Sequence, residues 1–181
     1  MKLILLIAFF SSYLFANTNK IFTGATWLDC PFDYGLLRLI ATAERHAKRD
    51  IGYPYLISFN NPEDSSQITP DIYNYIKLDN RTIDCLNYEN CIHIANTLLE
   101  KQIYNIDFGG FQLNYRFNKI ETNLFFEIEG SYRRACNNLV TLVNNYGYSW
   151  ETIAKYHSFT KKHNIKYQVL LKNLITKEIN R

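Results

Sequence analysis

Outside its first sixteen residues the chain has no long hydrophobic run, and it carries no internal repeat, no Gly/Ser-rich linker and no low-complexity segment. Those absences exclude a multi-span membrane protein, a solenoid and a string of tethered modules. An excess of one charge is missing as well. There are 20 Lys and Arg against 17 Asp and Glu, and loss of residues 1–16 would take Lys2 and leave 19 basic residues. The basic positions are scattered, whereas a polyanion binder clusters them, so no nucleic acid is expected as a partner.

What remains is a chain of 181 residues, 47% hydrophobic and 15% aromatic, enough to bury one core and too short for two. The opening stretch "MKLILLIAFFSSYLFA" has a Lys near its start, an apolar run and Ala16 at a cleavable position. It reads as a secretory signal over residues 1–16, leaving 17–181 as a single domain. The run is short for a membrane span; an uncleaved anchor is the alternative, since Leu14 is a poor residue three places before the cut.

Four cysteines in an exported chain form an even set, and an oxidising compartment lets them pair in any of three ways. Cys85 and Cys91 in "DCLNYENC" could close a small loop; Cys30 with Cys136 would then close a long one, stabilising by roughly 3 to 5 kcal/mol on the chain-entropy model. A metal site using these cysteines with His93 is the rival, but the spacing fits no zinc pattern, and no metal is expected.

The order of elements reads as helix, irregular insert, helix, then a helical half: mainly helical α+β with a minor β element. A first helix is expected over 34–49. Pro54, Pro62 and Pro70 interrupt the insert from Gly52 to Asp71, where "YLISFN" is strand-like and a small hairpin is expected. "CIHIANTLLEKQI" resumes helical spacing, and "YRRACNNLVTLVNNYG" is a helix stopped by Gly147. Ser149 caps "SWETIAKYHS", and "NIKYQVLLKNLI" sets Tyr167, Leu170, Leu171 and Leu174 on one side.

Within the first helix, Leu37, Ile40, Ala41, Glu44 and Ala47 share one face, so a glutamate lies on the apolar stripe. An inward carboxyl group loses hydration, which favours its protonated form, the state a general acid needs. The plainer alternative is an ion pair with Arg38 or Lys48. A second stretch, "NIDFGGFQLNYRF", has a Gly pair that must turn or pack closely, with Gln112 and Asn114 alternating with Phe111, Leu113 and Tyr115. This reads as a cleft wall, because amides donate and accept together and aromatic rings stack on sugars. Otherwise it is a turn with exposed polar residues.

In order, "ATAERH", "IDFGGFQLN" and "CNNLVTLVNNYGYSWETIAKYHS" resemble the soluble lytic transglycosylases, especially the small exported enzymes of secretion and conjugation machines. That family carries a catalytic Glu on a helix, a G-L-M-Q-I-N motif, an N-L helix followed by a tryptophan segment, and A-Y-N or R-Y-H-S. The resemblance covers most of residues 30 to 170. It departs where Arg45 and His46 follow the Glu in place of Ser, and where Gly110-Phe111 replaces Leu-Met.

The resemblance implies a lysozyme-like fold with Glu44 as sole catalytic acid and base. Gln112 and Asn114 would lie on the substrate cleft, Ser58 and Asn60 would contact an N-acetyl group, and Tyr156 would hydrogen-bond Glu44. Cys30 and Cys136 sit where several such enzymes place a disulfide. The implied activity is cleavage of the MurNAc-GlcNAc β-1,4 bond of peptidoglycan in the periplasm with 1,6-anhydro ends, serving an envelope-spanning secretion or conjugation apparatus. No cofactor is expected. Asp107, the nearest second acid, reads better as a turn or cap residue, Tyr156 has a core alternative beside Ile153, and His157 reads as a structural histidine. Two rivals stand beside this reading: a hydrolytic muramidase, and a non-catalytic glycan-binding or assembly subunit.

Overall fold

Six α-helices and a five-stranded antiparallel sheet make up residues 30–69 and 71–179, which the computed structural model describes. The segment read as a signal, residues 1–16, lies outside the described residues. The architecture is α+β. Helix α1, Tyr34–Ala43, is followed by strand β1, Leu56–Phe59, and a 3-10 turn at Pro62–Gln67. Strands β2 (Ile76–Lys77) and β3 (Thr82–Asp84) precede α2, Tyr88–Glu100. Strands β4 (Ile106–Phe108) and β5 (Leu113–Asn114) lead into α3 (Asn123–Phe126), α4 (Ile128–Tyr146), α5 (Trp150–Ala154) and α6 (Lys161–Ile179). The strands lie in the order β2-β3-β1-β4-β5.

Local signals set several boundaries. Asp33 accepts from the Gly35 N–H at the start of α1, Asn87 from the Asn90 N–H at α2, and Ser149 from the Thr152 N–H at α5. Gly147, at φ 75°, ends α4 where the sequence expects it. The expected Gly-pair packing also holds: a side chain on Gly109 would strike the Phe125 carbonyl, and one on Gly110 the backbone of Gly52.

Other expectations need correction. Helix α1 stops at Ala43, not at residue 49, and Ala47 lies outside it. The following turn is drawn onto the sheet by Arg49, which pairs with buried Asp84, and by His46, 3.2 Å from Asp79. These tertiary ion pairs override the helical pattern of the local sequence. No hairpin forms within the insert, because β1 pairs with the distant strands β3 and β4. Leu170 is 40% exposed, so the inner stripe of α6 is Tyr167 and Leu171 with partly buried Leu174.

Both expected disulfides are present. Cys30 and Cys136 fix the approach to α1 against α4, and Cys85 and Cys91 tie the end of β3 to α2. With all four cysteines so engaged, none is left to bind metal with His93. Among the described residues no helix is long and apolar enough to cross a membrane.

The sheet joins the helices through one row of side chains. Register places Ile83 beside Ile57, Ile57 beside Phe108 and Phe108 beside Leu113. All four are buried with Leu37 and Ile40 of α1, Leu98 of α2, Leu139 of α4 and Leu171 of α6. Each such side chain contributes about 1.5 to 3 kcal/mol of transfer free energy. Because successive strand residues face opposite sides, burying this row turns the adjacent row outward.

Candidate active site

The outward row is Thr82, Ser58, Asp107 and Asn114, neighbours across β3, β1, β4 and β5. All four line one cleft of about 950 Å³. Ser58 and Thr82 share a hydroxyl contact of 3.2 Å. Asp107 accepts from Asn60 Nδ2 at 2.9 Å on one oxygen and from Asn114 Nδ2 at 2.8 Å on the other. Arg81 donates to the Phe59 carbonyl at 2.8 Å and to Asn60 Oδ1 at 3.4 Å, so the amide of Asn60 is held at both ends. Burial pushes the Asp107 carboxyl up to about 6; the two amide donors oppose the shift and the charge of Glu44 adds to it.

The opposite wall is helical. Glu44 is the C-cap of α1, its N–H donating to the Ile40 carbonyl, and only 11% of its side chain is exposed. At a helix C-terminus the unpaired carbonyls make a negative charge unfavourable, so this placement has a stability cost. Its nearest charged neighbour is His157, with Nδ1 3.4 Å from Oε1. Contact with Glu44 raises the His157 imidazole above its ordinary value, against the lowering effect of burial. The ring stacks on Tyr167 with centroids 4.7 Å apart and planes 2° from parallel. The Tyr167 hydroxyl and Glu44 Oε1 are both buried with no hydrogen-bond partner among the described residues. Burial first, then the charge of Glu44, raises the Tyr167 phenol well above its usual value.

The junction of α5 and α6 supplies these neighbours. Buried Asn164 donates to the carbonyls of Glu151 and Ser158 at 3.0 and 3.2 Å, which fixes how the chain leaves α5. That exit delivers Tyr156 and His157 together, while α6 brings Tyr167 alongside.

Glu44, Ser58, Asn60, Gln112, Asn114 and Tyr156, the residues singled out in the sequence, all line this cleft. Several contacts in and around the cleft differ from expectation. Tyr156 donates to the Phe111 carbonyl at 3.0 Å in place of Glu44, although burial and the Glu44 charge hold its phenol well above the usual range. Gln112 is in a turn at φ 46° with its amide donating to Gly109, so the expected alternation shrinks to the two residues of β5. Asp107 is a strand residue facing the cleft; it neither caps nor makes the turn. Lys48, one suggested partner for Glu44, donates to the Leu78 carbonyl.

Sequence reading missed Thr82, Asp107, His157 and Tyr167 as members of the site. The pattern Ile106-Asp107-Phe108, a polar residue between two buried ones, was the available signal for Asp107. Tyr167 was legible as core, and nothing local connects it to Glu44.

Among the described residues no group of three or more His, Cys, Asp or Glu is placed to hold a metal ion. Comparison with known proteins finds no matching family model, no matching curated protein and no matching solved structure. The chemistry must therefore be argued from the cleft itself. It offers one carboxyl group with an oxygen that makes no hydrogen bond among the described residues and a second with both oxygens hydrogen-bonded, on a wall rich in amides.

Proposed function

We propose that this protein is a peptidoglycan lytic transglycosylase with a lysozyme-like fold, exported to the periplasm. It would open the cell wall locally for an envelope-spanning secretion or conjugation apparatus. The observation that carries the reading is the buried Oε1 of Glu44, which makes no hydrogen bond among the described residues and faces an amide-lined cleft beside His157. No described group hydrogen-bonds that oxygen, and its one ion-pair contact is His157 Nδ1 at 3.4 Å, so a proton carried there can pass to a leaving oxygen between N-acetylmuramic acid and N-acetylglucosamine. Glu44 then bears the negative charge, and the substrate's 2-acetamido carbonyl stabilises the cationic sugar. The ionised Glu44 removes the proton of the muramic C6 hydroxyl, whose oxygen attacks C1 to close the 1,6-anhydro ring. The two proton transfers restore Glu44 and consume no water.

A glycan strand is long, uncharged along its sugar backbone and rich in amide and hydroxyl groups. Asn60, Gln112, Asn114 and Asn105 on the cleft surface suit it better than they suit a phosphate or an apolar ligand. Asn114 donates to Asn105 and to Asp107, Asn60 donates to Asp107 and Gln112 to the Gly109 carbonyl, which holds the wall rigid before substrate arrives.

A second reading has its own support. A hydrolytic muramidase needs a second carboxylate, and Asp107 is in the same cleft. Against it, an amide donor already holds each Asp107 oxygen, which fixes the carboxyl in the wall and makes it a weaker base and nucleophile. Soluble muropeptides released from purified sacculi distinguish the readings by mass. Anhydro products lost in Glu44→Gln are expected; reducing products would favour the muramidase, and no products from well-folded protein would favour the binding or assembly subunit.

A further inference from the structure

Beyond the row that faces Glu44, the cleft continues over α4, where Arg134 and Asn138 share one helical face and both line the cavity. The two side chains converge on Asn118, which is 5% exposed. Its Oδ1 accepts from Arg134 Nε at 2.8 Å and from Asn138 Nδ2 at 2.8 Å, while its own Nδ2 donates to the Asn114 carbonyl at 2.8 Å. Asn118 thereby ties α4 to the end of β5 and holds the guanidinium by one edge. The terminal amino groups of Arg134 bond no described residue, and no carboxylate among the described residues pairs with it.

The other cations of the cleft differ. Lys155 pairs with Glu151 at 3.2 Å. Arg81 is tied to a carbonyl and an amide, close enough to Asp107 to lower its pKa. Next to Arg134 in sequence, Arg133 points outward and pairs with Glu129 at 2.8 Å. Arg134 is thus a partly buried positive charge, oriented by a buried amide, with no counterion among the described residues, in a cleft that the reading above assigns to a glycan. A planar guanidinium fixed in this way matches a carboxylate, which it can grip through two parallel hydrogen bonds.

We propose that Arg134, positioned by Asn118 and assisted by Asn138, binds a carboxylate of the stem peptide carried by the glycan strand. The enzyme is then selective for peptide-bearing over denuded strands. A denuded strand keeps only the lactyl carboxylate held close against each muramic ring, whereas in a peptide-bearing strand that group is an amide and the peptide carries several carboxylates that reach beyond the sugar.

This rests on the assignment of the cleft to peptidoglycan, so the test reads binding and does not need cleavage. Calorimetric titration would compare three probes: a GlcNAc-MurNAc disaccharide bearing a tetrapeptide, the same compound with its carboxylates amidated, and the disaccharide without peptide whose lactyl carboxyl is capped as the methylamide. The native protein should bind the first about tenfold more tightly than the other two, the size of one charge-assisted pair, and the preference should weaken with salt. Arg134→Leu should abolish the preference, Arg134→Lys should reduce it by losing the fork, and Arg133→Leu should leave it intact. Equal binding of all three probes by the native protein, or full preference surviving in Arg134→Leu, would overturn the site. The amidated probe decides the matter even if a variant fails to fold. Preference without any cleavage of sacculi would sink the transglycosylase reading alone, and failure to bind any probe would sink both.

Discussion

Two walls enclose the cleft, and each contributes one carboxylate under opposite conditions. On the sheet wall, Asp107 is one member of a polar row whose neighbours fill both of its oxygens. On the helical wall, Glu44 stands at the carbonyl end of α1 beside an aromatic stack, with no hydrogen bond to Oε1 among the described residues and His157 as its ion-pair contact. Satisfied hydrogen bonds make the first a fixed part of the wall. The second carries an unsatisfied group in an unfavourable place, the kind of stability cost that functional groups impose on a fold. Under the proposed reading, proximity to the cleft does not by itself make an acid catalytic; the two carboxyl groups differ in whether hydrogen-bond donors already fix both oxygens.

The largest expected effect follows from removing the Glu44 acid. Glu44→Gln should lower release of soluble muropeptides by roughly a thousandfold or more, within the range that positioned acids supply. Its thermal midpoint should hold, because the amide keeps the size and shape of the buried side chain. A fold that collapses in Glu44→Gln would mean that the carboxylate is structural.

Next come the disulfides, one for each wall. Cys30 and Cys136 are 106 residues apart and Cys85 and Cys91 only 6. On the chain-entropy model, replacing the long-range pair with alanine costs about 5 kcal/mol and replacing the short one about 2 kcal/mol. Denaturant unfolding would measure both. The first loss should take activity with it by loosening the support of Glu44; equal losses would break the asymmetry between the walls.

A smaller effect is expected from Asp107→Asn. It puts an amide where Asn60 and Asn114 already donate, so the wall should shift and KM should rise about tenfold, while the products stay anhydro. Steady-state kinetics on solubilised glycan strands would separate KM from kcat. A collapse of kcat with KM unchanged would make Asp107 a participant.

The smallest effect is on pH dependence of stability, and both walls contribute to it. Asp107 and His157 have folded-state values above their unfolded ones of 3.8 and 6.5. Each therefore adds stability that is present in full below the unfolded value and lost as pH rises through the folded one. For Asp107 that loss runs from about 3.8 to about 6, and for His157 it begins near 6.5 and continues above it. The melting temperature should accordingly be a few degrees higher near pH 5 than near pH 8. Asp79 sets the acid limit, since hydrogen bonds and His46 outweigh its burial and lower it below 3.8, and its contribution disappears as pH falls through that region. His157→Gln should flatten the upper part of the profile, and Asp107→Asn the middle.

Much of this comparison was legible in the sequence on the helical side and little on the sheet side. Glu44 announced itself as a polar residue on an apolar stripe, and the caps at Ser149 and Gly147 marked the helices that frame it. These are local signals, read within a few residues. The row of Thr82, Ser58, Asp107 and Asn114 is assembled from four strands, and strand register is a non-local property that depends on which apolar row is buried. Ser58 and Asn114 could be singled out, but the residue between them in space could not. The early end of α1 escaped for a similar reason, being set by Arg49 reaching Asp84 across 35 positions.

The most direct test of the account is digestion of purified sacculi in heavy-oxygen water by the native protein, Glu44→Gln and Asp107→Asn, followed by mass analysis of the products. The account predicts unlabelled anhydro-muropeptides from the native protein, none from Glu44→Gln, and fewer but still unlabelled products from Asp107→Asn. Labelled reducing ends from the native protein that vanish in Asp107→Asn would contradict it, because water would then be the nucleophile and Asp107 its partner.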